Sequence, residues 1–255
     1  MRRTTVRRTA VAASALSLAL LVSACGADKS ADAGPEAKGK DSAAAEPAAK
    51  VLSQAELDKL ILADGDAKNH KVIKPLKADL AASKIATTDK AECKPLLDAT
   101  WMRPLGSPAA TSVRRVSTMP EKPGKDASPE DKLKAGLEAL GGAVIMTDTL
   151  GSYDGKSAQE ALAGLRTAGK ACADGFTTTA GPDKMKYTKV TPASYTGGDE
   201  AVAFTLTTDL EGETGSAQLV TVRKGNTVVS FFAQSFAGKS EQPKDAIEAQ
   251  LAKLG

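Results

Sequence analysis

Gln218-Leu-Val-Thr-Val-Arg223, then Lys224-Gly225-Asn226, then Thr227-Val-Val-Ser-Phe-Phe-Ala-Gln-Ser-Phe236 is the stretch that decides the fold. Two runs rich in β-branched and aromatic residues flank a glycine and an asparagine, which tolerate the positive φ of a tight hairpin, so the stretch reads as two antiparallel strands. Just upstream, Val202, Phe204 and Leu206 alternate with Ala203, Thr205 and Thr207, the period of a strand with two unlike faces. Three neighbouring strands therefore make a meander. The acids between Asp209 and Glu213 fall at the tip between its first two strands. Ala143 to Leu150, Lys186 to Val190, Val113 to Met119 and His70 to Leu76 add further strands by the same signal.

Helix signals surround this sheet. Ser53-Gln54-Ala55-Glu56 has the spacing of a capping box before Leu57, Leu60 and Ile61. Ser157-Ala158-Gln159-Glu160 repeats it before a helix running to Cys172, with Ala158, Ala161, Leu162, Leu165 and Cys172 near one stripe. Lys90 to Thr100 reads as a short helix carrying Cys93, Leu96 and Leu97. Ser128-Pro129 is a favoured cap and first-turn pair, followed by Leu133, Leu137 and Leu140. A last helix from about Gln242 puts Ile247, Leu251 and Leu254 on one face. The Pro-rich stretch from Met119 to Pro129 reads as a surface loop, with a hinge as the alternative. The class is α+β: a twisted antiparallel sheet with helices packed on one side of it.

The N-terminus has another character. Arg2, Arg3, Arg7 and Arg8 precede an uncharged apolar run from Ala10 to Val22, too short to span a bilayer, which is the pattern of an export signal. Val22-Ser23-Ala24-Cys25 resembles the lipobox of bacterial lipoproteins, with Val22 where leucine is commoner. The resemblance implies lipid on the Cys25 sulfur, cleavage before it and acylation of the new amine. Two chains anchor stably where one binds only marginally. The expected partner is thus a membrane, reached by the lipid anchor at the outer face of the bacterial plasma membrane, by either export route. Residues 26–50 hold only Ala, Gly, Ser, Pro, Lys, Asp and Glu, a linker with a reach of roughly 28 Å. The expected division is signal peptide 1–24, anchor and linker 25–50, and one extracytoplasmic domain 51–255.

Removing the signal also changes the charge. It takes four arginines and no acid, leaving 30 basic residues against 31 acidic ones, so the net +3 of the full chain gives no argument for nucleic acid. Three cysteines are an odd count, and lipid on Cys25 leaves Cys93 and Cys172. In an oxidising compartment these are expected to pair, closing a loop of 80 residues, an effect of roughly 4.5 kcal/mol by chain entropy. Free buried thiols or a metal site are the alternatives; no histidine neighbours either cysteine to favour the latter.

A capped Leu-rich helix, then Glu92-Cys93-Lys94-Pro95-Leu96-Leu97, a strand, and an Ala-rich helix ending in Cys172 follow in order. In this order residues 51–255 resemble the PknH-like extracellular sensor domains and their free-standing lipoprotein relatives in actinobacteria. The chain departs from them in having two cysteines for the fold where the kinase's sensor domain has two disulfides, and in lacking a tryptophan before the second cysteine. The resemblance implies a sheet with a cleft for a small ligand.

Motifs for chemistry are sparse. His70, the only histidine, sits between Asn69 and Lys71 and reads as a surface residue. Gly34 to Asp41 and Ala233 to Ser240 approach a phosphate-binding loop, but the first ends in Asp41 within the linker and the second lacks its first glycine. Asp64-Gly65-Asp66 opens like a calcium loop and lacks the rest of one. No Gly-x-Ser-x-Gly elbow occurs. No cofactor, no metal and no catalytic residues are expected. Trp101, the single tryptophan, is either core or part of a ligand wall, and is the one candidate binding residue. The expectation is a non-enzymatic binding or sensing module for a small molecule or envelope component, with a pocket-free interaction protein as the alternative.

Overall fold

The computed structural model describes residues 50–119, 124, 126–141, 143–210, 212–235 and 240–255. Residues 1–49, with the expected signal peptide, Cys25, the expected linker and the Gly34 to Asp41 stretch, lie outside these residues.

The meander forms as its sequence dictates. Strands β7 (Glu200–Leu210), β8 (Glu213–Lys224) and β9 (Thr227–Ser235) are neighbours in one antiparallel sheet. Lys224 pairs with Thr227, leaving Gly225 and Asn226 as the turn, with Gly225 at φ 55°. Asp199 pins that turn by accepting the Gly225 N–H at 2.7 Å and Arg223 Nη1 at 3.1 Å. At the other hairpin Asp209 accepts the Gly212 N–H at 3.1 Å.

The remaining strands are β1 (His70–Ile73), β2 (Thr87–Thr88), β3 (Ala110–Thr118), β4 (Val144–Ser152), β5 (Phe176–Ala180) and β6 (Asp183–Ala193). The nine run in the order β1-β3-β4-β9-β8-β7-β6-β5-β2, each antiparallel to its neighbours. The sequence signal found all but β2 and β5. The latter reads Phe-Thr-Thr-Thr-Ala, whose buried positions Phe176, Thr178 and Ala180 give almost no polarity contrast with their neighbours.

The helices are α1 (Gln54–Leu60), α2 (Lys77–Ile85), α3 (Lys94–Thr100), α4 (Pro129–Gly141), α5 (Ser157–Ala171) and α6 (Lys244–Lys253), with a 3-10 turn at Ala91–Cys93. The α+β class holds, but the helices cover both faces of the sheet rather than one. Leu96 of α3 and Leu162 and Leu165 of α5 pack with Phe204, Leu206, Leu219 and Phe232. Leu57 of α1, with Ile61 just after it, and Ala246 and Ile247 of α6 pack with Val220, Val222, Val229 and Phe231. Successive strand residues point to opposite faces, so β8 and β9 feed both cores. Their nearly unbroken apolar runs are the sequence signature of strands buried on both sides.

The capping box at Ser53 forms in full. The one expected at Ser157 does not. The Lys156 carbonyl already accepts the Glu160 N–H at 3.0 Å, so Ser157 is the first helical residue and its hydroxyl turns back to Asp154 Oδ1 at 3.4 Å. Helix α4 forms where Ser128-Pro129 placed it, yet Leu133 and Leu137 are 66% and 62% exposed instead of buried. With α3 and α5 on one face and α1 and α6 on the other, these leucines meet no core. Helix α2 was not among the helices expected, and the only residue it buries is Ser83.

Cys93 and Cys172 form a disulfide, fully buried in the first core, joining the turn before α3 to the end of α5 across a Cα–Cα distance of 5.9 Å. Among the described residues no helix is long and apolar enough to cross a membrane.

Candidate functional site

The ends of α2 and α3, strands β3, β4 and β9 and the start of β6 enclose a cleft of about 250 Å³. Its wall is Trp101 and Met102, the corner where α3 stops. Trp101 caps α3, its N–H donating to the Leu97 carbonyl at 3.0 Å, and it packs, as does Ala82, against the small cluster of Ala86, Leu97 and Ala180. Met102 then takes φ 55°, a left-handed conformation uncommon for a residue with a side chain. Three contacts hold this corner. Ser83 of α2 donates to the Trp101 carbonyl at 2.6 Å, Arg103 Nε lies 3.0 Å from the buried Asp98 carboxylate, and Arg103 Nη2 donates to the Ala86 carbonyl at 3.2 Å. A strained backbone persists where its surroundings over-determine it, and such places cluster at ligand clamps.

The floor comes from one register row of the sheet, in which Arg115, Thr147 and Phe232 are direct neighbours on β3, β4 and β9. Ile145 and Gln234 form the next row. Arg115 Nη1 donates to both oxygens of Asp79, at 2.9 and 3.1 Å, tying α2 to the sheet. Thr147 Oγ1 is buried with no hydrogen-bond partner. Opposite lie Met185 and Tyr187 of β6. Burial pushes the Tyr187 hydroxyl's pKa up, against a hydrogen bond with Thr100, and the ring stacks on Phe176 at 4.8 Å. Asp183 and Lys184 stand exposed at the rim.

Of the sequence candidates, Trp101 alone reaches this cleft. His70 lies on β1 and lines a larger, more open hollow of about 550 Å³ with Val144, Met146 and Pro243; its Nδ1 sits 2.6 Å from the Lys68 carbonyl and so carries the proton it donates. Asp64 and Asp66 are already engaged. Asp64 pairs with Lys71 at 2.5 Å and accepts the Val72 N–H; Asp66 accepts the Ala63 N–H and pairs with Lys253. Strand β9 consumes Ala233 to Ser235 of the second loop candidate, and Ser240 donates to the Ser216 and Ala233 carbonyls, a structural tie. Residues 236–239 lie outside the described ones. Among the described residues no group of three or more His, Cys, Asp or Glu is placed to hold a metal ion.

The sequence pattern did not point to Asp79, Arg115, Thr147, Met185 or Phe232, which come from five elements. The only local signal was a charged residue, Arg115, in mid-strand. It also missed Asp148, on the opposite face of β4, wholly buried with both carboxylate oxygens lacking a hydrogen-bond partner.

No family model and no curated relative matches this chain. Among solved structures it is similar to the extracellular domain of PknH from Mycobacterium tuberculosis, at 12% identity and a TM-score of 0.46, over 80% of this chain and 95% of that one. It is also similar to an uncharacterized protein from Mycobacterium smegmatis, at 12% identity and a TM-score of 0.29, over 82% of this chain and 96% of that one.

Proposed function

We propose that this chain is a lipid-tethered extracytoplasmic module that binds a small molecule in the cleft under Trp101, acting as a sensor or carrier and not as an enzyme. The single observation that carries the reading is the cleft itself: an apolar, aromatic-walled hollow beside a strained corner held by three contacts, with one unsatisfied hydroxyl at its floor. Its described lining includes no histidine, cysteine or serine, and its inner charges, Asp79 and Arg115, are closed on each other. That favours binding over catalysis. The buried disulfide fits an oxidising compartment, and the lipobox-like Val22 to Cys25 supports the tether.

Because Trp101 is the only tryptophan, its fluorescence reports on the cleft directly. Residues 45–255 form one compact unit and are screened against envelope lipids, peptidoglycan fragments and metabolites. At least one compound is expected to raise Tm and shift the tryptophan emission, with the Tm gain lost in Trp101→Ala. Silence across the library, or a gain that survives Trp101→Ala, sinks the reading. In cells, Cys25→Ala should move the protein out of the membrane fraction.

The exposed Leu133 and Leu137 of α4 favour a second reading, an envelope interaction protein docking through that helix. In-cell crosslinking from position 133 that captures one reproducible partner would support it.

A further inference from the structure

The charges of the cleft cancel. Asp79 neutralises Arg115 through both carboxylate oxygens, and Asp183 and Lys184 are opposite charges side by side on the rim. A ligand carrying net charge inward meets no unmatched counter-charge, and burying an unpaired charge is expensive. The walls offer apolar, adaptable surface instead: Trp101, Met102, Ile145, Met185 and Phe232. Of the other polar groups, Tyr187 and Thr100 are hydrogen-bonded to each other and Gln234 is exposed, which leaves the Thr147 hydroxyl as the buried lining group without a partner.

Apolar surface also continues past the Asp79–Arg115 pair. Ile73 is the strand neighbour of Arg115 and shares its side of the sheet. Leu76, the cap of α2, and Leu80 stand four residues apart and so share one side of the helix, on either side of Asp79 in the chain. These three are 43%, 55% and 41% exposed, an apolar shoulder flanking the Asp79–Arg115 pair in the sheet and along the chain.

We propose that the cleft takes a neutral single-chain amphiphile, whose hydrogen-bonding head meets Thr147 and whose hydrocarbon follows Trp101 and Met102 out over Ile73, Leu76 and Leu80. This rests on the cleft being the binding site, as proposed above. A compact polar ligand such as a sugar needs more converging polar groups than the floor supplies, whereas a hydrocarbon chain gains by covering the shoulder.

The test is a titration of residues 45–255, read by Trp101 fluorescence, with monoacylglycerols from hexanoyl to dodecanoyl and with the fatty acids of the same lengths. Kd for the monoacylglycerols is expected to fall about fourfold per added methylene. Each fatty acid should bind at least about tenfold more weakly at pH 8, for want of a counter-charge. Thr147→Val should weaken every monoacylglycerol by about fivefold to tenfold, with Thr147→Ser restoring it. Leu80→Ser should flatten the gain for the longest chains only, and Glu248→Gln, exposed on α6 over the opposite face of the sheet, should change nothing. If a sugar or a charged metabolite shifts Trp101 while chain length has no effect, the ligand class is wrong and the binding reading survives. If fatty acids bind as tightly as the neutral esters, the neutrality argument is wrong. If no compound of any class moves Trp101, both fall.

Discussion

Asp148 and Arg114 are direct partners across the β3–β4 ladder, and they do not pair. Arg114 Nη1 donates to the Val113 carbonyl at 2.8 Å and lies 3.5 Å from Ser112 Oγ, while both Asp148 oxygens are left without a hydrogen bond beneath α1 and α6. The Leu62 N–H nearby is committed to Gln250 Oε1 at 2.8 Å.

Burial therefore dominates Asp148 and pushes its pKa up to about 7, against weaker opposing pulls from the Leu62 N–H, Arg114 and Lys253. An acid raised in the folded state costs nothing below its unfolded value near 4, where both states hold the proton. The penalty grows as pH rises from there to about 7 and is constant above. Asp148→Asn should thus leave stability near pH 4 almost unchanged and raise it at pH 8 by about 1–3 kcal/mol, less than the full gap because the amide still lacks partners. Urea unfolding at the two pH values checks this; an equal effect at both would refute the buried acid.

Gln250 is the clamp between the two helices on that face. Its amide takes the Leu62 N–H at 2.8 Å and gives a proton to the Leu60 carbonyl at 2.9 Å, fully buried. Gln250→Leu keeps the volume and orphans both backbone groups, so a loss of about 2–4 kcal/mol is expected. Hydrogen exchange should show the end of α1 opening first.

Gly169 sits where α5 presses on β7. A methyl group there would stand 2.1 Å from Phe204 Cζ, so Gly169→Ala, which stabilises most helices, is expected to cost about 1–3 kcal/mol here. Gly164 on the same helix has open space, and Gly164→Ala should stabilise by about 0.5–1 kcal/mol. Thermal denaturation of the pair reads the contrast.

The Cys93–Cys172 bond joins two helices that pack in one core. Its removal by Cys93→Ala with Cys172→Ala should cost about 2–5 kcal/mol. Mass spectrometry of non-reduced peptides from exported protein should recover the linked pair, and free thiols at both positions would overturn the assignment.

What the sequence by itself determined was whatever has a local cause. Glycine and asparagine at 225–226 set the hairpin, Ser53 with Glu56 set a helix start, and alternation along 202–207 set a strand. Cys93 and Cys172, the cysteines beyond the N-terminal stretch, are the pair bonded in the core. Features with no local cause came only with the tertiary structure. Strand β5 is a strand because β2 and β6 pair with it, and α4 leaves Leu133 and Leu137 outside because both faces of the sheet are taken. Trp101 was legible as a candidate, but its role as a wall depends on Ser83, Asp98 and Arg103 fixing the corner, and on Arg115, Thr147 and Phe232 meeting in one row of three strands. Chain positions that far apart converge only through sheet register, which no local pattern encodes.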